Sequence, residues 1–104
     1  MATPPEMAEV LARLWTKFLP EMEQRVALVS EAAQALAAGS LNEEQREAGH
    51  AAAHKLAGSL GLFGLARGTE IARRLEHLLE TVPADAAGIA SGADELRALL
   101  AAHR

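Results

Sequence analysis

The sequence predicts an all-α fold, an up-down antiparallel four-helix bundle with a short extra helix at its N-terminus. Half of the 104 residues are hydrophobic, and alanine and leucine, which favour helices, supply most of them. Valine and isoleucine are sparse and show no two-residue alternation, which argues against strands. The connections between the predicted helices are short, so successive helices are expected to be antiparallel neighbours.

The N-terminal part of the chain is predicted to contain two helices. A short helix covers residues 5–13, and a longer one runs from about Trp15 to Ala38. Pro20 falls near the start of the longer helix, which favours a start closer to Leu19 because proline breaks a helix interior. Apolar residues recur in this helix at steps of three and four, which places them on one face: Phe18, Met22, Val26, Val29, Ala33 and Leu36.

Turn and capping residues predict where the next helix begins. Gly39-Ser40 ends the preceding helix. Asn42 is a good N-cap, and Gln45 lies three residues later, as in a capping box. A helix from Glu43 to about Leu62 is therefore expected, with these residues facing inward: Ala52, Ala53, Leu56, Leu60 and Phe63.

Two more helices complete the predicted bundle. After Gly64, one helix extends to about Thr81 and is ended by Pro83, and Asp85 caps the last helix. Each has an apolar stripe at helical spacing: first Leu65, Ala72, Leu75 and Leu79, then Ile89, Ala93, Leu96 and Leu100.

Composition excludes several classes of function. The chain contains no cysteine, which excludes disulfides, thiolate metal sites and thiol catalysis. Its net charge of −4 disfavours binding to nucleic acid. It shows neither a secretory signal nor the roughly 18 consecutive apolar residues of a membrane helix. We therefore expect one cytoplasmic domain over residues 1–104, with no nucleic-acid or membrane partner.

The predicted helix from residue 43 to residue 62 places His54 on its outer face. Leu56 marks the core side, and His54 lies about 200° around the helix from it. Glycine inside a helix costs up to ~1 kcal/mol relative to alanine, so its use here indicates a surface that a partner approaches closely. Close packing against a neighbouring helix is the alternative. The residues near His54 on this surface are His50, Ala57, Gly58 and Gly61.

One segment carries the motif His54-x-Leu56-x-Gly58-Ser59-x-Gly61. It resembles the signature of histidine-containing phosphotransfer (HPt) domains, a histidine followed by x-Leu-Lys-Gly-Ser, an apolar residue and glycine. The resemblance extends to Leu75-Glu76 and to the opening Leu14-Trp15-x-x-Phe18-Leu19-x-Glu21. The chain departs from the family pattern at Ala57, where the family usually has lysine, and Lys55 is the nearby lysine instead.

The resemblance implies a phosphoryl carrier in a two-component phosphorelay, without enzymatic turnover. His54 would exchange a phosphoryl group with the aspartate of a response-regulator receiver domain, for which a hybrid histidine kinase is one source. No cofactor of its own is implied, and the receiver would supply Mg²⁺. Lys55 and Ser59 are expected to support the site. The docking surface would contain His50, Ala57, Gly58 and Gly61.

Two other interpretations are also consistent with the sequence. A non-catalytic helical adaptor or dimerisation bundle would use the same small-residue face for packing, with His54 incidental. Glu47-x-x-His50 has the spacing of a metal site, but a di-iron bundle needs a second such motif, which the sequence lacks. No metal site is therefore expected. For Ser59, a bond back to a carbonyl of its own helix is the simpler expectation.

Overall fold

The computed structural model describes residues 5–80 and 82–103, which form four α-helices. They are α1 (Pro5–Ala37), α2 (Glu43–Leu62), α3 (Ala66–Leu78) and α4 (Ala86–Ala102). Both α1 and α3 pack against α2 and α4, and no strand occurs in this part of the chain. The predicted all-α four-helix bundle is thus confirmed. Over the same residues, none of the helices combines the length and apolar character needed to cross a bilayer.

The separate short helix predicted at the N-terminus is wrong, because Pro5–Ala37 is one continuous helix of 33 residues. Pro20 lies inside it at an exposed position, and proline removes one backbone hydrogen-bond donor from the helix. Leu19 and Met22, on either side of the proline, are buried in the bundle. Their packing offsets the local cost of the proline, so the helix continues through it.

The boundaries of α2 follow from local signals in the sequence. Asn42 Oδ1 accepts a hydrogen bond from the Gln45 backbone N–H at 2.8 Å, and Gln45 Oε1 accepts one from the Asn42 N–H at 3.0 Å. These bonds are the predicted capping box. Gly39 and Gly64, which follow α1 and α2, have φ of 72°, a conformation that favours glycine after a helix end. The predicted end of the next helix, Thr81, lies outside the described residues, and α3 ends at Leu78.

One hydrophobic core lies between the four helices, and none of its buried residues is polar or charged within the described ranges. The predicted inner faces supply it, although four of their residues are only partly buried at its margin: Phe18, Leu36, Phe63 and Leu65. Its largest fully buried side chains are Met22, Val26, Val29, Leu56, Leu60, Leu75, Leu79, Ile89, Leu96 and Leu100. That residues 1–104 form one domain stays a prediction.

Arg46 joins the beginning of α2 to the end of α3. Its Nη1 donates hydrogen bonds to the carbonyl oxygens of Leu79 at 2.7 Å and Glu80 at 3.0 Å. These carbonyls carry the partial negative charge of a helix C-terminus, so a cation is favourable there. Arg46 also forms an ion pair with Glu43, which lowers the pKa of that carboxyl. The contact thus links the two helices eight residues before His54.

Candidate functional site

His54 lies on the outer face of α2, and its side chain is 72% exposed. Its Nδ1 atom is 2.8 Å from Oε2 of Glu76 on α3, whose side chain is 23% exposed. An ionised carboxylate only accepts hydrogen bonds, so Nδ1 carries the proton in this pair. In the neutral imidazole the lone pair is then on Nε2. The contact therefore leaves a nucleophilic nitrogen on the ring.

Buried leucines set the orientation of both partners. Leu56, two residues after His54, and Leu75, the residue before Glu76, are both fully buried. Because side chains project from a helix at fixed angles, anchoring each leucine in the core turns His54 outward and Glu76 toward the edge of α2. The pair thus depends on the same core that stabilises the fold.

Beyond His54, the outer face of α2 carries two glycines. Gly58 and Gly61 are both exposed. A Cβ atom added at Gly58 would meet nothing within 4 Å, and one at Gly61 would lie 3.6 Å from Oγ1 of Thr69. The alternative that Gly58 permits close packing with a neighbouring helix is therefore wrong. The surface one turn beyond the imidazole is open to another molecule.

Two residues predicted for the docking surface face α3: Ala57 is buried there, which corrects its assignment, whereas a docking role for half-buried His50 stays a prediction. Ala57 is only 8% exposed, and its carbonyl oxygen lies 3.4 Å from Thr69 Oγ1, which is also 3.3 Å from the Leu65 carbonyl oxygen. His50 is half-buried, and its Nε2 atom is buried with no hydrogen-bond partner among the described residues. Both lie on the flank of α2 that α3 covers, which leaves Gly58 and Gly61 as the small residues beside His54.

Lys55 and Ser59 lie on the other flank of α2, toward α1. Lys55 is exposed and borders the groove between the two helices, together with Glu21 and Gln24. Ser59 is half-buried, and its hydroxyl makes no hydrogen bond to any residue in the ranges 5–80 and 82–103, so the expected bond to its own helix is absent. This placement does not favour a supporting role at His54 for either residue.

The contact between His54 and Glu76 was not predicted from the sequence. Leu75-Glu76 was matched as part of a motif, but a hydrogen bond across 22 positions of sequence depends on how α2 and α3 pack. Glu76 directly follows an apolar leucine at the edge of the predicted inner face of α3, and this position was the sequence feature that could have indicated a contact with α2. Among the described residues, no group of three or more His, Asp or Glu side chains is placed to hold a metal ion.

Comparison with known proteins adds independent information. The family model described as Hpt domain matches residues 13–104. A curated protein, Protein RcaC of Microchaete diplosiphon, is 35% identical over 69 residues, which are 66% of this chain and 11% of that protein. The chain therefore matches about a tenth of the length of that relative. No solved structure matches the chain.

Proposed function

The chain belongs to the Hpt domain family, and on this premise we propose that His54 is the residue that carries the phosphoryl group. Hpt domains are histidine phosphotransfer modules of two-component phosphorelays, and they exchange the phosphoryl group with response-regulator receiver domains. The observation that carries the proposal is the His54–Glu76 contact at 2.8 Å on an exposed, sterically open face.

The other histidines in the described part of the chain lack this combination. His50 has its Nε2 atom buried. His77 is exposed beside Glu80, with 3.5 Å between Nδ1 and Oε2, which is beyond hydrogen-bond distance. His103 has its Nδ1 at 2.9 Å from the carbonyl oxygen of Leu99, and its ring lies against Trp15.

The transfer step needs no proton exchange on the imidazole. The Nε2 lone pair of neutral His54 attacks the phosphorus of an aspartyl phosphate on the receiver and forms a nitrogen–phosphorus bond. The phosphorus–oxygen bond to the aspartyl group breaks, and its electron pair goes to the carboxylate oxygen. Nδ1 keeps its proton, so the ring becomes cationic, and the Glu76 carboxylate stabilises this charge. The reverse sequence returns the group to an aspartate.

The protein acts here as a carrier, and we assign it no catalytic turnover. Phosphoryl transfer of this kind uses a divalent cation. The described residues do not fit such a site, since one carboxylate, Glu76, approaches His54 and it is engaged by Nδ1. The receiver would therefore contribute Mg²⁺. A hybrid histidine kinase is one source of such a receiver. The cytoplasmic location of the protein stays a prediction.

Phosphoryl labelling tests the proposal directly. The protein is incubated with a panel of phosphorylated receivers, and the label it acquires is tested for the acid lability and alkali stability of phosphohistidine. His54→Gln is expected to abolish labelling, whereas His50→Gln and His77→Gln retain it. Full labelling of His54→Gln would refute the assignment. If the parent protein accepts a phosphoryl group neither from any receiver nor from the small donor phosphoramidate, the non-catalytic adaptor is favoured.

A further inference from the structure

A phosphoryl group on His54 brings two negative charges to the exposed face of α2. Position 57, one turn from His54, is occupied by a buried alanine, and Lys55 lies toward α1 on the other flank of α2. We propose that Arg73 on α3 is the residue that binds the phosphoryl group. This inference rests on the proposed function, because it concerns the same site.

The position of Arg73 follows from its neighbours on α3. Thr69, Arg73 and Glu76 are separated by four and three residues, so they lie along one side of the helix. Thr69 contacts the Ala57 carbonyl and Glu76 contacts His54, which shows that this side faces α2. Arg73 lies between the two contacts, at the level of position 57.

Arg73 also borders an open groove between α2 and α3. The groove has a volume of about 370 Å³, and Gly61 and Thr69 line it as well. On the side of α2, Gly61 is the residue that lines the groove. Along the axis of α3, Arg73 is only about 4.5 Å from Glu76. In this proposal, the long Arg73 side chain turns toward Nε2 by a change of rotamer.

The Arg73 guanidinium is free to bind an anion. It is exposed, and it makes no ion pair or hydrogen bond with any residue in the ranges 5–80 and 82–103. Glu70 borders the same groove but forms an ion pair with Arg67 at 3.5 Å. Guanidinium binds two oxygens of a phosphoryl group at once, which suits a dianion on an exposed imidazole.

Arg74 provides a matched control. It is also exposed and also unpaired within the described residues, but it lies about 160° around α3 from Glu76. The two arginines thus share residue type, exposure and local sequence, and they differ in the side of the helix that they occupy. An effect of net charge alone would be the same for both.

The equilibrium between receiver and carrier measures the contact. One phosphorylated receiver is mixed with the protein, and the fraction of phosphoryl group on His54 at equilibrium is read from gels that retard phosphoproteins. Because the contact is solvent-exposed, Arg73→Gln is expected to lower the equilibrium constant for transfer to His54 by roughly threefold to fivefold at low salt. Salt should diminish the difference. Arg73→Lys should retain part of the effect, and Arg74→Gln should match the parent.

Titration of the phosphohistidine by ³¹P NMR gives a second readout, which a structural role for Arg73 would not change. A bound guanidinium favours the dianion, so the pKa of the phosphoryl group should be lower in the parent and in Arg74→Gln than in Arg73→Gln. If Arg73→Gln matches the parent in both experiments while His54 is labelled normally, this inference is wrong and the proposed function stands. If His54 is never labelled, the proposed function fails, and this inference fails with it.

Discussion

Substitution of Gly58 by glutamine should separate the stability of the bundle from its function. Gly58 is exposed one turn beyond His54, and a Cβ atom there meets nothing within 4 Å. The new side chain therefore causes no clash, and loss of a glycine from a helix interior should stabilise the fold by roughly 0.5 kcal/mol. For a domain of this size that gain raises the melting temperature by about 2–4 °C.

The same side chain occupies the surface over which a receiver must approach. In-line transfer requires the phosphorus to come within about 3–3.5 Å of Nε2, and a misplacement of about 1 Å can cost 10²-fold in rate. We therefore expect Gly58→Gln to slow phosphoryl transfer by roughly 100-fold or more while the protein melts slightly higher. Ala98→Gln, at an exposed position on α4, is the control for added bulk elsewhere.

Thermal melting followed by circular dichroism and rapid-quench transfer from one receiver provide the two measurements. If Gly58→Gln lowers the melting temperature and leaves transfer unchanged, then Gly58 is a packing residue and the orientation of α2 is wrong. If Ala98→Gln slows transfer as much as Gly58→Gln does, the effect is not specific to the face that carries His54.

Two further substitutions test the site and the core. Glu76→Gln keeps an oxygen that accepts the Nδ1–H bond but removes the charge that stabilises the cationic ring. Phosphoryl transfer, measured by rapid quench, should therefore slow up to about fivefold. A rate equal to that of the parent would contradict this role of Glu76. Gly92→Ala would place a Cβ atom 2.7 Å from Cδ2 of Leu75, which is fully buried. This overpacking should cost about 1–3 kcal/mol in urea unfolding, and an unchanged midpoint would show that Leu75 moves freely.

The positions of α2 and the later helices could be predicted because the residues that start and pattern each helix lie within a short stretch of sequence. A capping box needs only Asn42 and Gln45, and the apolar stripes of α2 and α4 repeat every three or four residues. The continuity of α1 was not predictable in this way. Pro20 is unfavourable locally, and the packing of Leu19 and Met22 that offsets it comes from contacts distant in sequence.

The sequence by itself determined that α2 carries an outward-facing histidine beside exposed glycines. The angle between His54 and Leu56 depends only on helix geometry. The same angle does not show which neighbouring helix covers each flank of α2. Only the tertiary structure decided that α3 buries Ala57, that Lys55 lies toward α1, and that Glu76 meets His54. The physical reason is that the sequence of a helix defines which of its faces is apolar and turns toward the core. The residues that contact its flanks depend on how the other helices pack around it.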